Sequence, residues 1–320
     1  MYKILIAGGA GFIGSHLCKK LLDEGNTIYC LDNFLSGSKT NVQSLVDNPK
    51  FLLIDHDVSK SFDGIRDRFS DVHYIFHLAS PASPNPKSER SYINHPIETM
   101  LANSLGTYHL LQLAKEKNAK FLFASTSEVY GNPSVSPQPE TYFGNVNPNG
   151  IRSVYDEAKR FGEAMTFGFK RTHGVDVRII RIFNTYGPLM QKDDGRAVSA
   201  FINQALTGVP ITVFGDGKQT RSFCYVDDMV EGIIKAMFTD GTNGEVINLG
   251  NPDERAITAI ATLVKDAVGG NIDIVHESLP EDDPLQRKPD ITKAKQLLGW
   301  EPKVSFEEGL KQTIDYFRHI

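Results

Sequence analysis

The stretch KILIAGGAGFIG, residues 3–14, decides how this chain is read. An apolar run ends in glycines at 8, 11 and 14, and from Phe12 and Ile13 onward the spacing becomes helical. In a strand–turn–helix unit, glycines permit a tight turn and let the backbone approach a diphosphate. The free N–H groups and dipole at the helix N-terminus then hold the anion. A glycine-rich turn alone marks no more than a strand–helix junction. The residues downstream of it add meaning. Asp32 closes the second apolar run, 18 residues past Gly14, where a carboxylate hydrogen-bonds an adenosine ribose, and Asn33 comes next. No Arg or Lys stands beside Asp32; the nearest downstream is Lys39, which favours NAD over its 2′-phosphorylated form. Asp57-Val58 and Leu78-Ala79-Ser80 end the next two runs, where ligands collect in such sheets. Together with Gly8, Gly11, Phe12, Ile13 and Gly14, these residues predict a dinucleotide site.

The rest of the composition sets bounds. The 320 residues are 40% hydrophobic and 23% charged with net charge −5, an ordinary globular balance with room for about two domains. That mild acidity argues against a nucleic-acid partner. Cys18, Cys30 and Cys224 form no CxxC pair, which fits reduced thiols and a cytoplasmic location, and no metal site is predicted. MYKILIAGG already reads as a strand, so no signal peptide is expected ahead of the fold. No run approaches the roughly 18–20 apolar residues of a membrane span, so no membrane partner is expected.

Along the chain, short apolar runs alternate with segments of helical period, the pattern of βαβ units around a parallel sheet. Strands are expected at KILIAG (3–8), TIYCLD (27–32), FLLIDHD (51–57), HYIFHLA (73–79), KFLFAS (120–125) and VDVRIIRIFN (175–184). Several are apolar at nearly every position, as strands covered on both faces are. Helices are expected at 12–25, 95–117 and 153–173, with a weaker one near 60–70. After Asn184 comes a long loop, TYGPLMQKDDGR. Beyond it, helices are expected at 197–207, 226–238, 256–268, 292–298 and 305–318, with short strands at ITVFG and EVINLG and the polar LPEDDPLQRKPD (279–290) as a separator. The expected fold is α/β: a Rossmann-type doubly wound parallel sheet over 1–183 with a smaller C-terminal α/β substrate domain over 184–320. Chain near 214–250 is expected to return to the first domain.

Two further stretches carry chemistry. STSEVYG (125–131) comes at the end of the fifth run, and YDEAK (155–159) begins 27 residues after Glu128. Tyr155 and Lys159, four apart, share one helix face, with Ser153 as the expected N-cap. A free phenol, with a pKa near 10, is a poor base at neutral pH. A nearby ammonium and a positively charged nicotinamide both favour the phenolate. Tyr155 can then take the proton of a sugar hydroxyl as the carbon gives up its hydride, with Thr126 orienting that oxygen. Alone, YxxxK on a helix is more often structural and Thr126 is a cap. Their coincidence downstream of a dinucleotide turn speaks for catalysis.

These residues together resemble the extended short-chain dehydrogenase/reductases that act on nucleotide sugars. Among those, the dTDP-glucose 4,6-dehydratases read Thr-Asp-Glu at this place, the Asp protonating a leaving hydroxyl; here the triplet is Thr126-Ser127-Glu128. The 4-epimerases usually have small residues in place of the glutamate. A hydroxyl followed by a carboxylate resembles the UDP-glucuronate decarboxylases, or UDP-xylose synthases. HLASPASP (77–84), NVNPNGIRSVYDEAKR (145–160), RIFNTYGP (181–188), DDGRAVSAFI (193–202), QTRSF (219–223), VINLGNP (246–252) and RKPDITKAKQLLGWEP (287–302) extend the resemblance over nearly the whole chain. Two departures stand out: a longer, charged NPKSERSYINHP (85–96), and Glu98 and Leu101 where that family carries lysines.

The resemblance implies oxidation at C4 of UDP-glucuronate, loss of carbon dioxide from the β-keto acid, reprotonation of C5 and return of the hydride, with NAD regenerated. It implies catalytic roles for Thr126, Ser127, Glu128, Tyr155, Lys159 and Arg287, and a cofactor contact at Asn103. Substrate contacts are implied at Pro81, Ser83, Glu128, Asn184, Arg196, Arg221, Tyr225 and Arg287, with ITVFGDG (211–217) beside the uracil. A homodimer through the helices at 95–117 and 153–173 is implied as well. Without the resemblance the three arginines read as solvated charges, and the helices' second faces as coverage within one chain. Three other readings stay open. A UDP-sugar 4-epimerase is opposed by Glu128 and Arg287. A decarboxylase could release the UDP-4-keto-pentose. A non-catalytic NAD sensor is opposed by Thr126, Tyr155 and Lys159.

Overall fold

The structure, a computed structural model, describes residues 1–279 and 286–320, so part of the expected separator at 279–290 lies outside the described residues. In chain order the strands are β1 (Lys3–Ala7), β2 (Thr27–Asp32), β3 (Phe51–Asp55), β4 (Tyr74–His77), β5 (Lys120–Thr126), β6 (Val177–Ile182), β7 (Thr185–Tyr186), β8 (Ile211–Phe214), β9 (Thr220–Ser222), β10 (Cys224–Tyr225), β11 (Val246–Leu249), β12 (Glu254–Ala256), β13 (Ile274–Glu277) and β14 (Gln286–Arg287). The helices are α1 (Phe12–Asp23), α2 (Pro96–Leu101), α3 (Thr107–Lys117), α4 (Ser153–His173), α5 (Ala197–Thr207), α6 (Val226–Phe238), α7 (Ile257–Val268), α8 (Thr292–Leu298) and α9 (Phe306–Arg318).

Among the described residues, seven strands form a parallel sheet in the order β11-β6-β5-β4-β1-β2-β3. The chain runs outward from β1 to β3, returns to β4, and then builds the other half. The strand order therefore reverses between β1 and β4, and ligands of such sheets sit at that reversal. This is the expected Rossmann-type doubly wound α/β fold. Its strands read as continuous apolar runs because successive residues enter different cores. Ile4, Ile6, Ile28, Cys30, Leu122 and Ala124 face one core, and Leu5, Ala7, Tyr29, Leu31, Phe121 and Phe123 the other. The first core continues without a break into Phe201 of α5, Ile260 of α7 and Ile314 of α9. The second is closed by Leu110 and Leu111 of α3 and by Phe169 of α4. Beyond the main sheet, β9 lies between β12 and β14, which sets Arg221 opposite Arg287.

Two helix expectations need correction. Near 60–70 there is a single 3-10 turn, Arg66–Phe69. Upstream of it, Ser59 bonds to Asp57 and Ser61 to Asp63, short-range pairings that compete with a helix. The segment 95–117 is not one α-helix: a π-turn, Ala102–Gly106, separates α2 from α3. There the Ala102 carbonyl lies 3.2 Å from His77 Nε2, and a Cβ on Gly106 would press on Val58. π-turns are frequent at functional sites.

Candidate active site

The dinucleotide end of the site forms at the sheet's reversal. Gly8 has a φ of +80°, and a Cβ on it would lie 2.6 Å from the Ala79 nitrogen at the end of β4. A Cβ on Gly14 would collide with the Gly8 carbonyl oxygen. Asp32 is aimed by backbone N–H donors from Ala10 (2.9 Å) and Phe34 (2.8 Å). Lys39 is turned to Asp55 (3.9 Å) and the Phe34 ring rather than to Asp32. Gly8, Gly11, Asp32, Asn33, Asp57, Val58, Leu78, Ala79, Ser80 and Pro81 line one cleft, joined by Glu98 and Leu101. Phe12 and Ile13 pack into the core from the first turn of α1. Asn103, in the π-turn, donates to Ser80 Oγ (2.8 Å) and the Thr99 carbonyl (2.9 Å), and its own side-chain oxygen is buried without a partner among the described residues. A glycine cradle, an oriented carboxylate and a buried unpaired amide oxygen fit a dinucleotide.

The second group sits where α4 meets β5. Gly162 permits that contact, because a Cβ there would run into the Phe123 ring. Ser153 begins α4 but caps nothing: the position before it is Arg152, and no side chain bonds the helix start. Lys159 Nζ donates to the Ala124 carbonyl (2.8 Å) and lies 5.8 Å from the centre of the Tyr155 ring. Burial lowers the lysine's pKa to about 7. Lys159 is not among the groups acting most strongly on the phenol in the protein alone. Burial pushes Tyr155 up to about 12, and the groups pulling the other way are the facing Thr126 hydroxyl and the Arg196 charge. Tyr92 stacks on Tyr155, ring centres 5.0 Å apart and planes 9° apart.

Beside them lies a charged cluster. The Glu128 N–H donates to Thr126 Oγ1 (3.2 Å), which fixes the turn after β5. Ser125 bonds Glu163 (2.6 Å), itself held by both forks of Arg181. Glu128 Oε2 accepts from Arg152 (2.6 Å) and Arg287 (3.1 Å), and Arg287 also donates to the carbonyl of buried Ser127. Burial alone would raise the Glu128 pKa, but the guanidiniums of Arg287 and Arg152 outweigh it and hold the carboxyl well below its usual range. The neighbouring Asp156 behaves oppositely: burial and the Glu128 charge raise it, against the pull of Arg152 and Arg287. Arg196 is bidentate to Asp194 (2.6 and 2.8 Å) and faces Tyr155 and Glu128. Arg221 faces Glu128 and Arg287.

Not every expected residue presents its side chain here. The Ser83 hydroxyl donates to the Asp194 carbonyl (2.6 Å), tying the chain just ahead of the 85–96 loop to the segment that bears Arg196. The Tyr225 hydroxyl donates to Gln312 of α9 (2.9 Å), and its ring packs edge-on against Tyr186 inside the core. Both hydroxyls are thus engaged within the protein itself. Asn184 accepts the Cys224 N–H through its backbone carbonyl (2.9 Å), joining β7 to β10. Conversely, the structure adds Arg152, Asp156 and Tyr92, which the sequence does not single out. The first two flank Tyr155 within NVNPNGIRSVYDEAKR, so position relative to the tyrosine is their available signal. Tyr92 carries none.

Glycine cradle, Asp32 and a Thr–Tyr–Lys group on one doubly wound sheet define a dinucleotide-dependent enzyme. The chain belongs to the NAD dependent epimerase/dehydratase family, whose model matches residues 4–250. It is 50% identical over 317 residues to UDP-glucuronic acid decarboxylase 5 of Arabidopsis thaliana, covering 99% of this chain and 89% of that protein. It is 49% identical to UDP-glucuronic acid decarboxylase 1 of Xenopus tropicalis, covering 99% and 72%. Among solved structures, UDP-glucuronic acid 4-epimerase from Bacillus cereus, in complex with UDP-glucuronic acid and NAD, superposes with a TM-score of 0.88 at 31% identity, covering 99% of each chain. UDP-glucose 4-epimerase from Thermotoga maritima gives 0.89 at 33%, covering 99% of each chain.

Proposed function

We propose that this protein converts UDP-glucuronate to UDP-xylose by NAD-dependent decarboxylation. The observation that carries this reading is Glu128, clamped by Arg152 and Arg287 beside Thr126 and Tyr155. In a hexuronate the carboxylate-bearing C5 is the next atom to C4, so a group handling O4 must have the carboxylate's partners alongside it. The decarboxylase relatives support the same choice. NAD is the cofactor, held by the glycine cradle and Asp32; when bound, its nicotinamide accepts the C4 hydride and later returns it.

The chain's own residues do the rest. Tyr155 takes the O4 proton, and Thr126 orients that oxygen. Once protonated, Tyr155 donates back to the same oxygen, where negative charge gathers as the C5–carboxylate bond breaks, carbon dioxide leaves and the electron pair delocalises into the C4 carbonyl; a proton from water then restores the C5–H bond. Lys159, buried against the Ala124 carbonyl, fixes the face of α4 that carries Tyr155. Glu128 stays ionised between its arginines. A full ion pair from Arg287 to the substrate carboxylate would oppose that group's departure, since only interactions stronger in the transition state help. Arg287, already bonded to Glu128 and Ser127, orients the carboxylate or assists reprotonation of C5. Arg196, its Nε and Nη2 held by Asp194, and Arg221 bring guanidinium charge suited to the diphosphate.

The test is mass spectrometry of UDP-glucuronate incubated with the protein and NAD while NADH absorbance is followed. Loss of one carbon dioxide without NADH accumulation supports UDP-xylose formation; the same loss with stoichiometric NADH means the keto pentose is released. An unchanged mass overturns the reading and directs the next assay to 4-epimerisation.

We further propose a homodimer, supported by apolar side chains left exposed on α2, α3 and α4: Ile97, Tyr108 and Phe161 among them. Three free, buried cysteines support a reducing compartment, and we place the enzyme in the cytoplasm.

A further inference from the structure

Asp156 sits next to Tyr155 on α4 and takes no part in the steps above. Its carboxyl is buried, with the residue 6% exposed, and Oδ1 has no hydrogen-bond partner among the described residues. Charge surrounds it: Glu128 from the turn after β5, Arg152 from the segment ahead of α4, Arg287 from β14, and Glu157 on its own helix. From the loop ahead of α2, Tyr92 brings a second buried polar atom without a partner among the described residues, its hydroxyl, and Tyr92 in turn faces Glu128, Arg152 and Asp156. Arg196, just before α5, and Arg221 of β9 face the same Glu128.

The geometry constrains what a carboxyl group can do here. Glu128 already occupies one Nη of each clamping arginine. Among the described residues, a substrate carboxylate entering beside it meets the charge of Glu128, and a further one would repel it strongly in so buried a place. Burial and Glu128 raise the pKa of Asp156 to about 8, while Glu128 is held low. Two carboxyls whose environments drive them apart divide between an ionised and a protonated role. A protonated carboxyl is also an O–H donor. It can hold a carboxylate without the deep ground-state ion pair that would oppose the loss of carbon dioxide.

We propose that Asp156 is a positioning residue that works in its protonated form. Uncharged, it leaves the Glu128–Arg152–Arg287 cluster open to the carboxylate of an incoming uronate; ionised, it repels that carboxylate. The proposal rests on the decarboxylase reading and adds a pH-gated selectivity for the uronate over its neutral product.

The experiment is calorimetric titration of the NADH-loaded protein, which cannot oxidise the sugar, with UDP-glucuronate and separately with UDP-xylose across about pH 6.5 to 9.5. The UDP-glucuronate Kd should rise on the order of tenfold over the upper half of that range, while the UDP-xylose Kd holds within about twofold. Lys159 titrates near the same range and its lost charge also weakens the uronate more than the pentose, so the comparison is read on Asp156→Asn, which keeps that lysine. Asp156→Asn should still bind UDP-glucuronate and lose the alkaline rise. A flat wild-type profile, a rise shared equally by UDP-xylose, or an Asn variant that keeps the rise overturns the proposal. Should the Asn variant not fold, Lys159→Met takes its place: the alkaline rise should persist without that lysine, and a rise lost with it overturns the proposal. Failure of UDP-glucuronate to bind at any pH, with UDP-xylose bound or not, overturns the decarboxylase reading itself.

Discussion

At the scale of the residue, burial outweighs the Arg196 charge and the Thr126 hydroxyl in holding Tyr155 as a neutral phenol in the protein alone, and a nicotinamide would bring a further positive charge. Removing the hydroxyl in Tyr155→Phe should lower kcat about 10²–10⁴-fold while NAD affinity, measured by calorimetry, stays within about twofold. A wild-type-minus-Phe difference titration of tyrosinate absorbance isolates that phenol. Its pKa should fall from about 12 when NAD⁺ is added, and NADH, which lacks the ring charge, should leave it unchanged. Asp156 carries a second expectation, in stability. Its folded-state pKa lies above the unfolded value of 3.8, so the folded chain holds that proton longer. Stability linked to this group is complete below about pH 4 and is lost as pH rises through about 8. Asp156→Asn should therefore melt several degrees above wild type at pH 8 and close to it at pH 4; equal melting temperatures at both would remove the linkage. Thr126, Glu128, Tyr155 and Lys159 are legible in the sequence because each stands at a fixed place in a short motif. Arg152 and Tyr92 are not, because what gives them meaning is approach through space: one to Glu128 from 24 residues away in sequence, the other to the ring of Tyr155.

At the scale of the element, α4 places Tyr155 and Lys159 against the end of β5, and Gly162 sets how closely it can lie. Gly162→Ala forces Cβ into the Phe123 ring, and both sides of that contact are buried. The expected cost is about 1–3 kcal/mol in urea unfolding. Because α4 cannot be pushed off β5 without moving Tyr155, kcat should fall by roughly tenfold or more, since small misplacements of a reacting group are costly. An unaltered kcat in a folded variant would mean that the helix pivots elsewhere. The same helix illustrates what sequence conveys about elements. Its span is legible to the residue, as are those of α5, α6 and α8, because each has a clear apolar stripe between punctuating residues. The interruption between α2 and α3 leaves no mark on the periodicity. It is made by tertiary contacts of Ala102 with His77 and Gly106 with Val58, and those exist only after the sheet has assembled.

At the scale of the molecule, two cores share one sheet, and α2, α3 and α4 cover the face opposite the C-terminal elements. These helices, with the π-turn between α2 and α3, turn an apolar side outward: Phe161 of α4 is 51% exposed and Leu105 of the π-turn 45%. Apolar side chains grouped on adjacent helices mark an interaction surface more often than isolated ones do. A second copy of the chain pairing the same helices would bury them symmetrically, as closed two-fold interfaces do. The expected mass by light scattering is then twice 35.5 kDa, and the melting temperature should rise with protein concentration. Phe161→Asp combined with Leu105→Asp should yield a monomer whose melting temperature no longer depends on concentration. Phe161 lies only two residues beyond Lys159, so the monomer should also lose activity through a loosened α4. Wild type running at 35.5 kDa at micromolar concentration would refute the pairing and leave that face to a different partner.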